Sequence, residues 1–141
     1  MTRQAKAQWQ GDLKSGKGNI SSTSGVLSNT VYSYPSRFEN DKGTNPEELL
    51  AAAHAGCFTM AVSAQLGQAN LKPENLETTC IITLEKLPEG FAITESHLDL
   101  TARVPGATQE AFDKAVQAAK EGCPVSKLYK TKITLTSKLQ S

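Results

Sequence analysis

The side chains in this sequence that could react, or activate a reacting group, are Cys57, Cys80 and Cys123, with His54 three residues before the first and Arg37 ahead of the helix that carries it. The thiolate is the nucleophilic form of cysteine, so each is judged by what would favour its charge. Cys57 lies in an apolar run, and a mid-helix position gains little from the helix dipole, which acts over the first turn. A cation must then come from elsewhere, and Arg37 is a candidate. Without one, Cys57 reads as a small apolar residue filling a core gap. Cys123 stands between Gly122 and Pro124, at the junction of two helical patterns. There its sulfur could meet a helix N-terminus, or simply pack in a turn. Cys80 shares a strand face with Ile82 and Leu84 and reads as core.

Three cysteines with no CxxC pair make a poor disulfide framework and a poor structural zinc site. What remains is inert core cysteine or thiol chemistry. His54 precedes Cys57 by one helical turn, which raises a metal site or a Cys–His pair. The only other histidine is His97, and no HxxxH motif occurs. Both histidines therefore read as core or interface residues, and no metal is expected. Neither a Walker P-loop nor a GxGxxG fingerprint is present, so nucleotide chemistry has no support.

The chain has 141 residues, with 15 Lys and Arg against 14 Asp and Glu, a net charge of +1. That length points to one domain, 1–141. The charge balance excludes the basic excess of a nucleic-acid binder. No run of 18 apolar residues suggests a membrane span, and Met1–Gln10 has no apolar signal segment, so a cytoplasmic protein is expected.

The elements that must position these residues follow from pattern. Residues 1–44 read as a β-meander whose third strand ends at Pro35, with Ser36–Thr44, including Arg37, as a polar loop. Asn45-Pro46-Glu47-Glu48 is a helix start: an N-cap, a proline at N1, acidic residues for the dipole, and Glu48 placed for a capping box. The helix runs over 45–69, apolar nearly all round, and must be buried on every side. At about 1.5 Å per residue it is too long for one small chain to wrap, so an oligomer with packed helices is inferred. Residues 70–141 read as a hairpin (76–87 and 91–104), a helix capped by Thr108 and closed by Gly122, a short helix led by Pro124, and a strand at 132–139. The class is α+β, in the order β-β-β-α-β-β-α-β.

Two segments together, Gly43-Thr44-Asn45-Pro46-Glu47-Glu48-Leu49-Leu50-Ala51-Ala52-Ala53-His54-Ala55-Gly56-Cys57-Phe58 and Gly122-Cys123-Pro124-Val125-Ser126, resemble the OsmC/Ohr family of thiol-dependent peroxidases, in its OsmC branch. The likeness extends over the whole chain, including Gln8–Asp12 and Gly90–Thr94. Gly56 departs from the Ala that many relatives carry before the cysteine. The resemblance implies an intertwined homodimer with long central helices and interface active sites. It implies reduction of organic hydroperoxides, and of hydrogen peroxide less well. The reductant would be an external dithiol such as a lipoyl group or lipoylated protein, with no metal or bound cofactor. By the same resemblance Cys57 is the peroxidatic cysteine and Cys123 the resolving one, joined in a transient disulfide, while Arg37 and Glu47 are the charged pair that holds the thiolate. Glu47 lies ten residues before Cys57, about 15 Å along a straight helix, so Glu47 and Arg37 are expected to act on the other subunit's cysteine. A non-catalytic redox sensor and a stress-response binding protein are the competing readings.

Overall fold

A computed structural model describes all 141 residues. The chain forms two compact units, residues 1–49 and 50–141.

In the first unit, β1 (Ala5–Gln10), β2 (Lys17–Ser22) and β3 (Thr30–Tyr32) make an antiparallel meander in that order. Gly18 pairs with Trp9 on one side and Tyr32 on the other. A Cβ there would come within 2.6 Å of both rings, so its absence lets them pack across the strand, with centroids 5.4 Å apart. The polar loop expected from Ser36 onward is instead opened by a short helix, α1 (Tyr34–Phe38). Pro35, read as a strand breaker, occupies the first turn, where a missing N–H costs nothing. Ser33 caps it: its hydroxyl accepts from the Ser36 N–H while the Ser36 hydroxyl meets the Ser33 N–H. Arg37 is thereby fixed on a helical turn.

Helix α2 (Pro46–Gln68) is unbroken. The Asn45 side chain accepts from the Glu48 N–H at 2.8 Å, as a cap should. The reciprocal capping-box bond is not made; the Glu48 carboxylate accepts the Thr44 hydroxyl at 2.7 Å instead. Within one chain the helix is not buried on every side. Its buried residues are His54, Phe58, Val62 and Leu66, a stripe with a repeat of four, while Ala52, Ala53, Gly56 and Met60 are exposed. By length and composition α2 is apolar enough to cross a membrane, although a helix carrying a core stripe passes the same test.

In the second unit β4 (Asn75–Leu87), β5 (Gly90–Arg103) and β6 (Lys132–Gln140) form a sheet in that order. The β4–β5 pair is antiparallel and β5–β6 parallel. A parallel pair needs a crossover, supplied by α3 (Gln109–Gly122) and α4 (Pro124–Leu128). Alternate β5 residues Ser96, Leu98, Leu100 and Ala102 point inward. Its three apolar ones form one core with Phe58, Val62 and Leu66 of α2 and with Phe112, Val116 and Ala119 of α3. Thr108 caps α3 as expected. Its end differs: Gly122 has no positive φ, and Cys123 leaves the helix with φ −58° and ψ 126°. The ring of Pro124 disfavours a helical conformation at the residue before it. Pro124 thus ends α3 and opens α4, and Cys123 is held at the joint.

Candidate active site

The core stripe of α2 and the α3–α4 joint bring Cys57 and Cys123 together across 66 residues of sequence. Their Sγ atoms are 2.7 Å apart, with the Cys123 S–H donating to Cys57. Both are free thiols; Cys123 is fully buried and Cys57 partly open. Burial pushes the Cys57 thiol above its ordinary value of 9.0, the neighbouring sulfur adds to the shift, and the Val125 backbone amide opposes it. The sequence left Cys123 either served by a helix N-terminus or packed in a turn. The arrangement differs: Cys123 is the N-cap of α4 but makes no cap bond, and the amide two residues on serves Cys57. Pro124 has no N–H to offer, so Val125 carries the first free donor. Unit 2 by itself therefore holds the two sulfurs within 2.7 Å of each other while its burial disfavours the Cys57 thiolate.

Beside this pair lies a buried polar chain that the sequence did not disclose. His54 is fully buried; its Nδ1 meets Ser96 Oγ at 2.6 Å and its Nε2 meets Ser126 Oγ at 2.8 Å. Cys80 Sγ lies 3.3 Å from the same Ser96 hydroxyl, and burial raises its thiol above the ordinary value. Tyr129 presents its ring edge-on to His54 and donates its hydroxyl to the Leu50 carbonyl at 2.8 Å. Ser96 and Ser126 are 42 and 72 residues from His54, so no local pattern could have paired them. The one legible hint was a histidine one turn from Cys57.

Burial holds His54 below its ordinary 6.5. An unfolded chain then binds a proton that the folded chain resists, so stability rises with pH across that interval. The His54 contribution is complete above pH 6.5 and is lost as pH falls below it. Thermal midpoints of the wild type should drop between pH 6.5 and the onset of carboxylate titration. Those of His54→Gln should lack that component; an identical slope in both would contradict the assignment.

In the first unit, α1 and the start of α2 bring Arg37 to Glu47. The guanidinium Nη2 donates to Glu47 Oε1 at 2.8 Å, and Nε lies 3.1 and 3.2 Å from the two carboxylate oxygens. This forked geometry fixes the guanidinium plane. The Glu47 side chain is 12% exposed and Arg37 38%. A cavity of about 240 Å³ opens beside Arg37, lined by Trp9, Leu13, Tyr32, Tyr34 and Phe38. His97 pairs with Thr134 and Thr136 across β5–β6. Nowhere do three His, Cys, Asp or Glu side chains stand as a metal-binding group.

Comparison with known proteins fits this geometry. The family model "OsmC-like protein" matches residues 39–138. The chain is 48% identical to Peroxiredoxin OsmC of Escherichia coli K12 over 139 residues, 99% of this chain and 97% of the relative. It is 34% identical to the Organic hydroperoxide resistance protein of Xanthomonas axonopodis over 95 residues, 67% of this chain and 65% of that one. Among solved structures, the Organic hydroperoxide resistance protein OhrB of Bacillus subtilis superposes with a TM-score of 0.69 at 28% identity, covering 97% and 98% of the two chains. That of Elizabethkingia anophelis gives 0.72 at 25%, covering 100% and 98%. The chain belongs to the OsmC family of thiol-dependent peroxidases.

Proposed function

We propose that this protein reduces organic hydroperoxides, and hydrogen peroxide less well, through Cys57 and Cys123, in the cytoplasm and as a homodimer. The observation that carries the reading is the 2.7 Å approach of two free sulfurs from distant parts of the chain. The Cys57 thiolate attacks one peroxide oxygen, the O–O bond breaks, and the alcohol leaves with a proton; Cys57 becomes a sulfenic acid. The Cys123 thiol attacks that sulfur, water leaves, and a disulfide forms. An external dithiol, of the lipoyl type, restores both thiols by exchange and becomes a disulfide itself. No bound cofactor takes part.

Because burial disfavours the Cys57 thiolate, a cation must favour it, and Arg37 oriented by Glu47 supplies that charge. Glu47 and Cys57 stand ten residues apart on one unbroken helix, about 15 Å of rise. The pair acting on each Cys57 is therefore that of a second copy of the chain. The exposed small residues Ala52, Ala53 and Gly56 on α2 support the close helix approach such a dimer needs. On this reading the meander (1–44), the central helix (45–69) and the C-terminal part (70–141) work as one catalytic domain.

The test is peroxide consumption by wild-type protein with dihydrolipoamide, across cumene, tert-butyl and hydrogen peroxides. Many turnovers per subunit, faster on the organic peroxides, are expected. Stoichiometric oxidation without turnover would favour a sensor, and no oxidation would exclude both.

A further inference from the structure

The peroxidase chemistry leaves His54 unused, yet it is a fully buried polar side chain bonded at both ring nitrogens. We propose that His54 is a positioning residue for the resolving step: through its Nε2 bond to Ser126 it anchors α4 on α2 and so holds Cys123 Sγ against Cys57. The proposal rests on the peroxidase reading and deepens it.

The residues involved form a short mechanical path. His54 and Cys57 sit three apart on α2, on neighbouring positions of one helix side. Ser126 and Cys123 sit three apart at the start of α4, and the two pairs face each other, His54 to Ser126 at 2.8 Å and Cys57 to Cys123 at 2.7 Å. Helix α4 has only five residues and no side-chain cap bond at its start. An isolated helix that short does not hold itself together in water, so its place depends on what ties it down. Beyond the sulfurs, its side-chain hydrogen bonds to other elements are His54 to Ser126 and, just past its end, Tyr129 to the Leu50 carbonyl.

The imidazole suits this task better than a hydroxyl or an apolar residue. Neutral, it has one donor and one acceptor nitrogen, and a serine hydroxyl can complete either. Ser96 on β5 fixes one edge of the ring while the other edge grips α4. A sulfenic acid must be captured by a sulfur already within reach, since further oxidation competes with resolution. Misplacement of reacting atoms by about 1 Å is enough to slow such a step about a hundredfold.

Gln and Asn separate the two edges of the ring: Gln places its terminal amide where Nε2 stands, Asn where Nδ1 stands. The full-length proteins wild type, Ser126→Ala, His54→Asn and His54→Gln would each be mixed with one equivalent of cumene hydroperoxide. Quenching at intervals with dimedone and mass spectrometry then measures Cys57 sulfenic acid against Cys57–Cys123 disulfide. Disulfide formation should slow about ten- to a hundredfold in Ser126→Ala and His54→Asn, with sulfenic acid accumulating, while His54→Gln restores rapid closure. Wild-type rates in Ser126→Ala, or a His54→Gln protein as slow as His54→Asn, would overturn the proposal. If wild-type protein forms no disulfide at all, the peroxidase reading fails and takes the proposal with it; a failure confined to the variants leaves that reading standing.

Discussion

With Cys57 replaced by Ser, dihydrolipoamide-supported peroxide turnover falls to the uncatalysed background, a loss of at least about a thousandfold, as expected for removal of a nucleophile. A serine hydroxyl stays protonated and is a poor nucleophile toward an O–O bond, and its oxygen cannot pass through a sulfenic acid. Cys123→Ser behaves differently. Its Cys57 still reduces one equivalent of peroxide, but the sulfenic acid has no sulfur within 2.7 Å to capture it. Repeated exposure then drives Cys57 to sulfinic acid, visible as a gain of two oxygen atoms on one peptide and a progressive loss of activity. Consumption rates and peptide masses of both variants check the pair of expectations. Unchanged turnover in Cys57→Ser would remove Cys57 from the chemistry.

Arg37→Ala should slow Cys57 oxidation by about a hundred- to a thousandfold near neutrality, the usual cost of removing a preorganised group that stabilises developing negative charge. Part of that loss lies in the thiolate fraction. Burial raises the Cys57 thiol above 9.0, and an arginine nearby opposes this by favouring the anion. Below its pKa a thiol loses about tenfold in thiolate per unit of pH. The wild-type rate should therefore level off at a lower pH than that of Arg37→Ala, whose deficit narrows as the solution becomes alkaline. Glu47→Gln should show a smaller defect with the same trend, because the guanidinium remains but loses its forked partner. A pH profile of single-turnover oxidation checks this. Coincident inflections for wild type and Arg37→Ala would show that Arg37 does not govern the thiolate.

Much of the fold was legible because its signals are local. Asn45 and Pro46 announce the start of α2, Thr108 that of α3, and alternation in 76–87 and 132–139 gives strands of nearly the observed length. Pro35 misled, since a proline can end a strand or open a helix, and only the Ser33–Ser36 capping box decides between them. The end of α3 was legible in position but not in cause: Pro124, not a left-handed Gly122, turns the chain. Cys57 and Cys123 stood out by type and by family resemblance, Arg37 as a cation ahead of the helix and by resemblance, and the role of Glu47 beside it by resemblance alone. The His54–Ser96–Ser126 chain was not legible. Its partners come from three elements far apart in sequence, and serines carry no pattern that marks one as facing a histidine. The all-round apolar character of α2 pointed to burial that one chain does not supply, because the side away from the core stripe, with Ala52, Ala53, Gly56 and Met60, is left exposed.

The most direct measurement is a non-reducing peptide map after treatment of the reduced protein with one equivalent of cumene hydroperoxide. It should show one disulfide, between Cys57 and Cys123, with Cys80 recovered as a free thiol and full reversal by dihydrolipoamide. A disulfide involving Cys80, or protein in which Cys57 and Cys123 both remain thiols, would contradict the account.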